Sequence, residues 1–290
     1  MSFRKLTDFI QADVIVALII DELRARNVAQ FIVDAQSASS LGKGSSYKIP
    51  GIVDLTVNAY DGTAVTPENV TSKNATILMN KYPFINFYLE DSDVDEASAM
   101  PLAIEFARRA AEQIASTIDV DVLGAIEAGA TTNSGVLGVT TSPITVSTAT
   151  NALDYVEDFA TVLREANIET NSVIVLPSYV GVKVARELGV NVNNERIAGE
   201  GIEMGYISAL FGYDVYTSNN LPTGVAGGLA SGEYAAIGGK REDFHLIEGL
   251  TIVKAGDAET KPATWNQFGQ VYGRDFSNAA GWYTGVVTKS

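Results

Sequence analysis

Residues 60–70 read YDGTAVTPENV, and they interrupt two runs in which apolar and polar side chains alternate. Before them Val53, Leu55 and Val57 alternate with Asp54, Thr56 and Asn58; after them Ala75, Ile77 and Met79 alternate with Thr76, Leu78 and Asn80, and Ile85, Phe87 and Leu89 extend the second strand. A period of two marks a strand with one covered face. Asp61-Gly62 is a turn signal and Pro67 a second break, so the text predicts a β-hairpin with a long polar tip. An arm of this kind has almost no core of its own, and isolated hairpins are marginal in water. It has to lie on another surface, and the nature of that surface decides the fold.

The remainder of the chain narrows the options by exclusion. At 290 residues and 30.8 kDa it can form one large domain or two modest ones with a substantial core. Charged residues make up 19% and hydrophobic ones 46%, the balance of an ordered globular protein. The absence of cysteine removes disulfides, thiolate nucleophiles, zinc-thiolate sites and iron–sulfur clusters together. A single histidine, His245, excludes any site needing two imidazoles; with no nucleophile motif beside it, it reads as a hydrogen-bonded histidine near strands. The formal charge of −15 repels DNA phosphates and argues against tight or sequence-reading duplex binding. The longest apolar run, VIVALII at 14–20, is shorter than a bilayer requires. Asp8, Asp13, Asp21 and Glu22 speak against a signal peptide. These features predict a cytoplasmic protein with no membrane partner, whose first thirty residues carry an amphipathic helix with Leu6, Phe9, Ile10, Val14 and Leu18 on one face.

Three motifs suggest ligand chemistry and fail on spacing. GKGSS at 42–46 lacks the leading glycine of a phosphate loop, since position 37 is Ser, and Gly44 follows the lysine where Ser or Thr is required. The surrounding SASSLGKGSS, 37–46, reads as a hinge-like link. In LEDSDVDEASAM, 89–100, Asp91, Asp93 and Asp95 copy half of a calcium loop, but the required glycine is Glu96 and the closing glutamate is Leu102. Acidic residues there suit the positive end of a following helix instead. Gly199, Gly201 and Gly205 are spaced one residue too widely for a dinucleotide fingerprint and follow a polar loop, so a mobile loop is expected. No catalytic residue, cofactor or metal is expected.

From about Pro101 the text reads as a long helix, with Leu102, Phe106, Ile114 and Ile118 on one side and a Glu105–Arg109 pair on the exposed side. After a Thr/Gly/Ser-rich loop, 129–150, NALDYVEDFATVLREA predicts a helix, SVIVLP a buried strand, SYVGVKVAREL a helix and GYDVYTSNNLP a strand ending in a turn. The last forty residues return to strand-like text with Trp265, Phe268, Tyr272, Phe276, Trp282 and Tyr283, the two tryptophans being expected in the core.

This order of parts resembles the major capsid proteins of tailed phages, the Hong Kong 97-type fold that encapsulin shells also use. Three passages carry the likeness: YKIPGIVDLTVNAYDGT through NKYPFINFYLEDSD, EFARRAAEQIASTIDVDVL, and SVIVLPSYVGVKVA with GYISALFGYDVYTSNNLP. The resemblance implies an α+β subunit with an N-terminal helix and arm (1–44), an extended β-hairpin loop and its base strands (45–91), a peripheral domain with a long spine helix (92–141), an axial α/β domain (142–253) and a C-terminal β segment returning to the peripheral domain (254–290). It further implies a non-enzymatic coat protein that assembles with itself into the hexamers and pentamers of an icosahedral shell, formed in the host cytoplasm and found in the virion. The shell encloses double-stranded DNA without sequence-specific binding. With no long charged extension ahead of the arm, a separate scaffolding protein is expected, together with a portal. The contact residues implied at the extended-loop tip are Tyr60, Asp61, Gly62, Thr63, Glu68 and Lys73. Two alternatives stand beside this reading: an encapsulin-type compartment shell, and a hydrolase using two carboxylates.

Overall fold

The computed structural model describes residues 28–51, 73–90, 99–188, 205–257 and 263–289, apart from 134 and 226–227. The N-terminal amphipathic helix, the acidic link at 91–98 and the loop holding Gly199 and Gly201 lie outside the described residues.

The described residues begin with a short helix α1 (Ala29–Ile32) and strand β1 (Asp34–Ser37), followed by a hairpin pair, β2 (Ser46–Gly51) and β3 (Lys73–Leu78), and then β4 (Phe84–Glu90). Helix α2 (Ala99–Gly129) follows, then β5 (Thr131–Thr132), β6 (Ile144–Val146), α3 (Ala149–Glu165), β7 (Ser172–Pro177) and α4 (Ser178–Glu187). The remainder is β: β8 (Tyr206–Leu210), β9 (Tyr213–Ser218), β10 (Glu233–Lys240), β11 (Phe244–Asp257), β12 (Ala263–Phe276) and β13 (Trp282–Lys289).

Two larger sheets result. One has four strands in the order β1-β11-β12-β4, and the other runs β5-β13-β10-β7-β9-β8 with β6 also on β13. The expected buried strand SVIVLP explains the second sheet: every residue of β7 is buried, and its side chains divide between two cores. Val173 and Val175 face a cluster that contains α2, whereas Ile174 and Leu176 face one built with α3 and α4. The sheet is therefore covered on both sides. The parallel pairing of β7 with β9 is reached through α4, which packs its buried Val180 and Val184 back onto the sheet.

Helix α2 joins the two sheets. Ala110, Ala111, Ile114, Ala115, Ile118, Val122, Leu123 and Ile126 form a buried stripe at helical spacing. Against it lie Phe244, Leu246, Phe268 and Tyr272 of the four-stranded sheet, and Val173, Val175, Ile237 and Trp282 of the other. Phe106 continues the stripe by stacking on Phe87 at 5.3 Å. The expected Glu105–Arg109 pair forms at 3.1 Å, but both side chains are more than half exposed, so it adds little. Trp282 is fully buried, as expected of a core residue, while Trp265 is half-buried. His245 is 5% exposed and shares 2.8 Å with the carboxylate of Asp34 through Nδ1, which stitches β1 to β11 beside their parallel pairing.

The structure departs from the sequence reading in three places. The expected second strand, 75–89, breaks at 79–83: β3 pairs only with β2, while β4 pairs with β12 in another sheet. Pro83 interrupts the run because it has no N–H to donate, and Lys81 instead makes an isolated bridge to Tyr272. The expected hinge at 37–46 is tied down. Ala38 N–H donates to Glu248, Leu250 N–H donates to Leu41, and Gly44 N–H donates to Met79, so the backbone finds partners that small residues permit. Finally, the closing segment divides, with β12 in the four-stranded sheet and β13 in the larger one, between β10 and the short strands β5 and β6.

Phe159 is fully buried in the α3–α4 core, and a Cβ on Gly238 would sit 2.5 Å from its ring, so the site has no slack. Phe159→Ala is expected to lower stability by about 3–5 kcal/mol, read as a reduced midpoint in urea unfolding of the subunit.

Candidate assembly surface

The implied contact residues Tyr60, Asp61, Gly62, Thr63 and Glu68 lie outside the described residues. Lys73 falls on the first position of β3, where its backbone pairs with Gly51 at the end of β2. The structure thus shows the paired strands on either side of residues 52–72.

That base is not coreless. Ile77 and Met79 are fully buried with Ile247 and Val271 of the four-stranded sheet, and Leu41, Tyr47, Ile49 and Ile252 close the cluster. The hairpin base lies on the face of that sheet opposite α2. Two glycines make the approach possible: a Cβ at Gly273 would stand 2.6 Å from the Leu78 carbonyl, and one at Gly249 2.6 Å from the Leu41 carbonyl. The Tyr47 hydroxyl donates to Gln36 Oε1 at 3.0 Å and fixes β2 to β1.

On the other face an ionic network ties the arm base to α2. Arg274 on β12 donates from Nε and Nη2 to the two oxygens of Asp121 at 2.6 and 2.8 Å, the Tyr272 hydroxyl donates at 2.8 Å, and Lys81 stands 3.4 Å away. Burial opposes the charge on Asp121, but the hydrogen bonds and charges of Arg274, Tyr272 and Lys81 outweigh it and hold the carboxyl down at about 2. Nothing in the sequence beyond an Arg and an Asp 153 residues apart foretold this pair.

Beside the network a groove of about 840 Å³ runs along α2, with Gln113, Thr117, Val120 and Gly124 on the helix and Arg274 and Phe276 opposite. Leu78 and Phe84 at the arm base and Val120 in the groove are each more than half exposed. Apolar side chains of this size left in water on one subunit suit contact with another molecule. Among the described residues no group of three or more His, Asp or Glu is placed to hold a metal ion, and no helix is long and apolar enough to cross a membrane.

Comparison with known proteins places this geometry. The phage capsid protein family matches residues 85–287, from β4 to the last strand. The chain belongs to the phage capsid protein family. Solved structures agree in fold. A subunit of Mycobacterium phage Che8 superposes with a TM-score of 0.59 at 19% identity, over 83% of this chain and 84% of that one. A subunit of Gordonia phage Cozz gives 0.60 at 13% identity over 91% and 87%. A virus-like particle from Pyrococcus furiosus gives 0.54 at 12% identity over 94% and 98%. No curated protein matches by sequence. The capsid protein therefore has the Hong Kong 97-type fold, and it is a structural subunit of a phage capsid.

In this capsid protein Asp121 has a carboxyl well below its ordinary 3.8, so the unfolded chain binds more protons than the folded one between those values. The stabilisation is complete above about pH 4 and is lost as pH falls through about 2, and it amounts to about 2 kcal/mol. Asp121→Asn is expected to lower stability at pH 7 by about that amount and to flatten the acid limb below pH 4, measured by urea unfolding across pH.

Proposed function

We propose that the chain is the major capsid protein of a tailed bacteriophage, which assembles through hexamers and pentamers into an icosahedral shell around double-stranded DNA. The observation that carries this reading is the match of residues 85–287 to the phage capsid protein family, and the hairpin base β2–β3, packed on the face of the four-stranded sheet opposite α2, supports it. A projecting arm that engages the next copy makes head-to-tail contacts, and such contacts close into rings.

On this reading the four-stranded sheet with α2 is the peripheral domain, and the larger sheet with α3 and α4 is the axial domain. The tip residues Tyr60, Asp61, Gly62, Thr63 and Glu68, with Lys73 at the root, meet the neighbouring subunit. The net charge of −15 supports a wall that encloses DNA without gripping it. A separate scaffolding protein and a portal complete the assembly in the host cytoplasm. The subunit has no enzymatic role. In the groove along α2 the carboxylate of Asp121 is held by Arg274 and Tyr272, which removes it from general acid–base work. The encapsulin alternative has the same fold, and the family match favours the phage reading over it.

Three outcomes test this. The chain expressed with its neighbouring scaffold gene is expected to form closed shells by electron microscopy, whereas a dispersed subunit of about 31 kDa in every condition overturns the proposal. Deletion of residues 61–70 is expected to leave a folded subunit, by its circular dichroism and thermal unfolding, that forms few or no closed shells. Normal shells from that deletion refute the role of the arm. Shells assembled without genome are expected to show little affinity for duplex DNA at physiological salt, measured by co-sedimentation.

A further inference from the structure

Asp119 sits in the middle of α2, two residues before the ion-paired Asp121, and it is 1% exposed. Its carboxylate accepts hydrogen bonds from three neutral donors that come from two distant parts of the chain. The amide of Ala29 donates to Oδ1 at 2.9 Å, and the amide of Val28 donates to Oδ2 at 3.2 Å. The side-chain amide of Asn220, in the turn after β9, donates to Oδ2 at 3.3 Å. Helix α1 has no side-chain cap of its own, since Val28 occupies that position. The cap is supplied by Asp119 across 90 residues. One carboxyl group therefore links the N-terminal segment, α2 and the turn after β9 to one another.

No cation answers this charge among the described residues. On α2, Asp121 is turned to Arg274, Tyr272 and Lys81. Around α1 and β1, Arg241 donates to the Phe31 carbonyl and pairs with Asp214, His245 pairs with Asp34, and Gln30 bonds to Glu248. The turn Asn219-Asn220-Leu221-Pro222 contains no titratable group, and neither does α1. Burial consequently dominates the three hydrogen bonds, and the Asp119 carboxyl is pushed up to about 6.

We propose that Asp119 is a charge-gated clasp, which holds α1 and the 219–222 turn against α2 when neutral and favours their release from α2 when ionised. The neutral acid fits the closed arrangement. Its carbonyl oxygen still accepts from Ala29, and its hydroxyl can donate to Asn220 once that amide turns over. The ionised acid gains most by reaching water, which requires α1 or the turn to move away. Because the clasped carboxyl holds its proton more tightly than a solvated one, the open arrangement gains with rising pH between about 4 and 6 and levels off above. Between pH 5 and pH 7.5 the open fraction rises about tenfold. The inference concerns a joint within one subunit, so it stands or falls separately from the shell reading.

The test is amide hydrogen exchange of the full chain at pH 5, 6 and 7.5, corrected for the intrinsic dependence of exchange on pH. The peptide covering 28–33 is expected to open about tenfold more at pH 7.5 than at pH 5, while α3 remains constant and serves as the internal reference. Asp119→Asn is expected to abolish that dependence. Asn220→Ala keeps the carboxylate but removes one bond that favours its charge, so the dependence persists with a higher midpoint. A flat wild-type profile overturns the clasp. So does an unchanged dependence in Asp119→Asn or, where that variant does not fold, an unshifted midpoint in Asn220→Ala.

Discussion

The burial of one face of α2 is the constraint on which the rest of the structure depends. Its eight aliphatic side chains from Ala110 to Ile126 meet residues from both large sheets, which otherwise have separate interiors. Each large side chain removed from water contributes about 1.5–3 kcal/mol, and the stripe on α2 meets side chains of both sheets along its length. The sheets take their spacing from this helix. Alanines at 110, 111 and 115 keep the contact close, while Ile114, Ile118, Val122 and Ile126 fill the gap further along.

This arrangement leaves the hairpin base outside the main core. The β2–β3 base occupies the opposite face of the four-stranded sheet, on a small cluster centred on Ile77, Met79, Ile247 and Val271. A shell subunit needs that division. On the proposed reading its body holds shape while the segment between β2 and β3 meets a neighbour, and a segment that carried the core could not do so. The exposed Leu78 and Phe84 at the arm root, and Val120 along the groove on α2, are apolar surface that the single chain leaves uncovered.

Much of the fold was legible because its signals are local. The helices at 149–165 and 178–187 and the buried strand at 172–177 follow from periodicity and a run of apolar residues in SVIVLP, while the cap at Thr148 emerges only in the structure. The stripe on α2 was read from Ile114 and Ile118, and a hydrogen-bonded His245 from the lack of chemical company around it. What was illegible is pairing. The text from 75 to 89 alternates almost without interruption, yet β3 and β4 belong to different sheets, because the choice between partners lies in β2 and β12 rather than in the run itself. The link at 37–46 looks unconstrained for the same reason, since its partners Met79, Glu248 and Leu250 are remote in the chain.

The segment IDVDV, 118–122, shows where the boundary lies. By itself the sequence determined that these residues are helical, that Ile118 faces a core, and that two acids stand two positions apart. It also determined, through the order of arm, long helix and α/β segment, the kind of subunit to which they belong. Only the tertiary structure decided that Asp121 meets Arg274 and stays ionised down to about pH 2, while Asp119 meets neutral donors and holds its proton up to about 6. The reason is physical: hydropathy repeats along the backbone are local, whereas a carboxylate's charge is set by burial and by groups 90 to 153 residues away that only folding brings within hydrogen-bond reach.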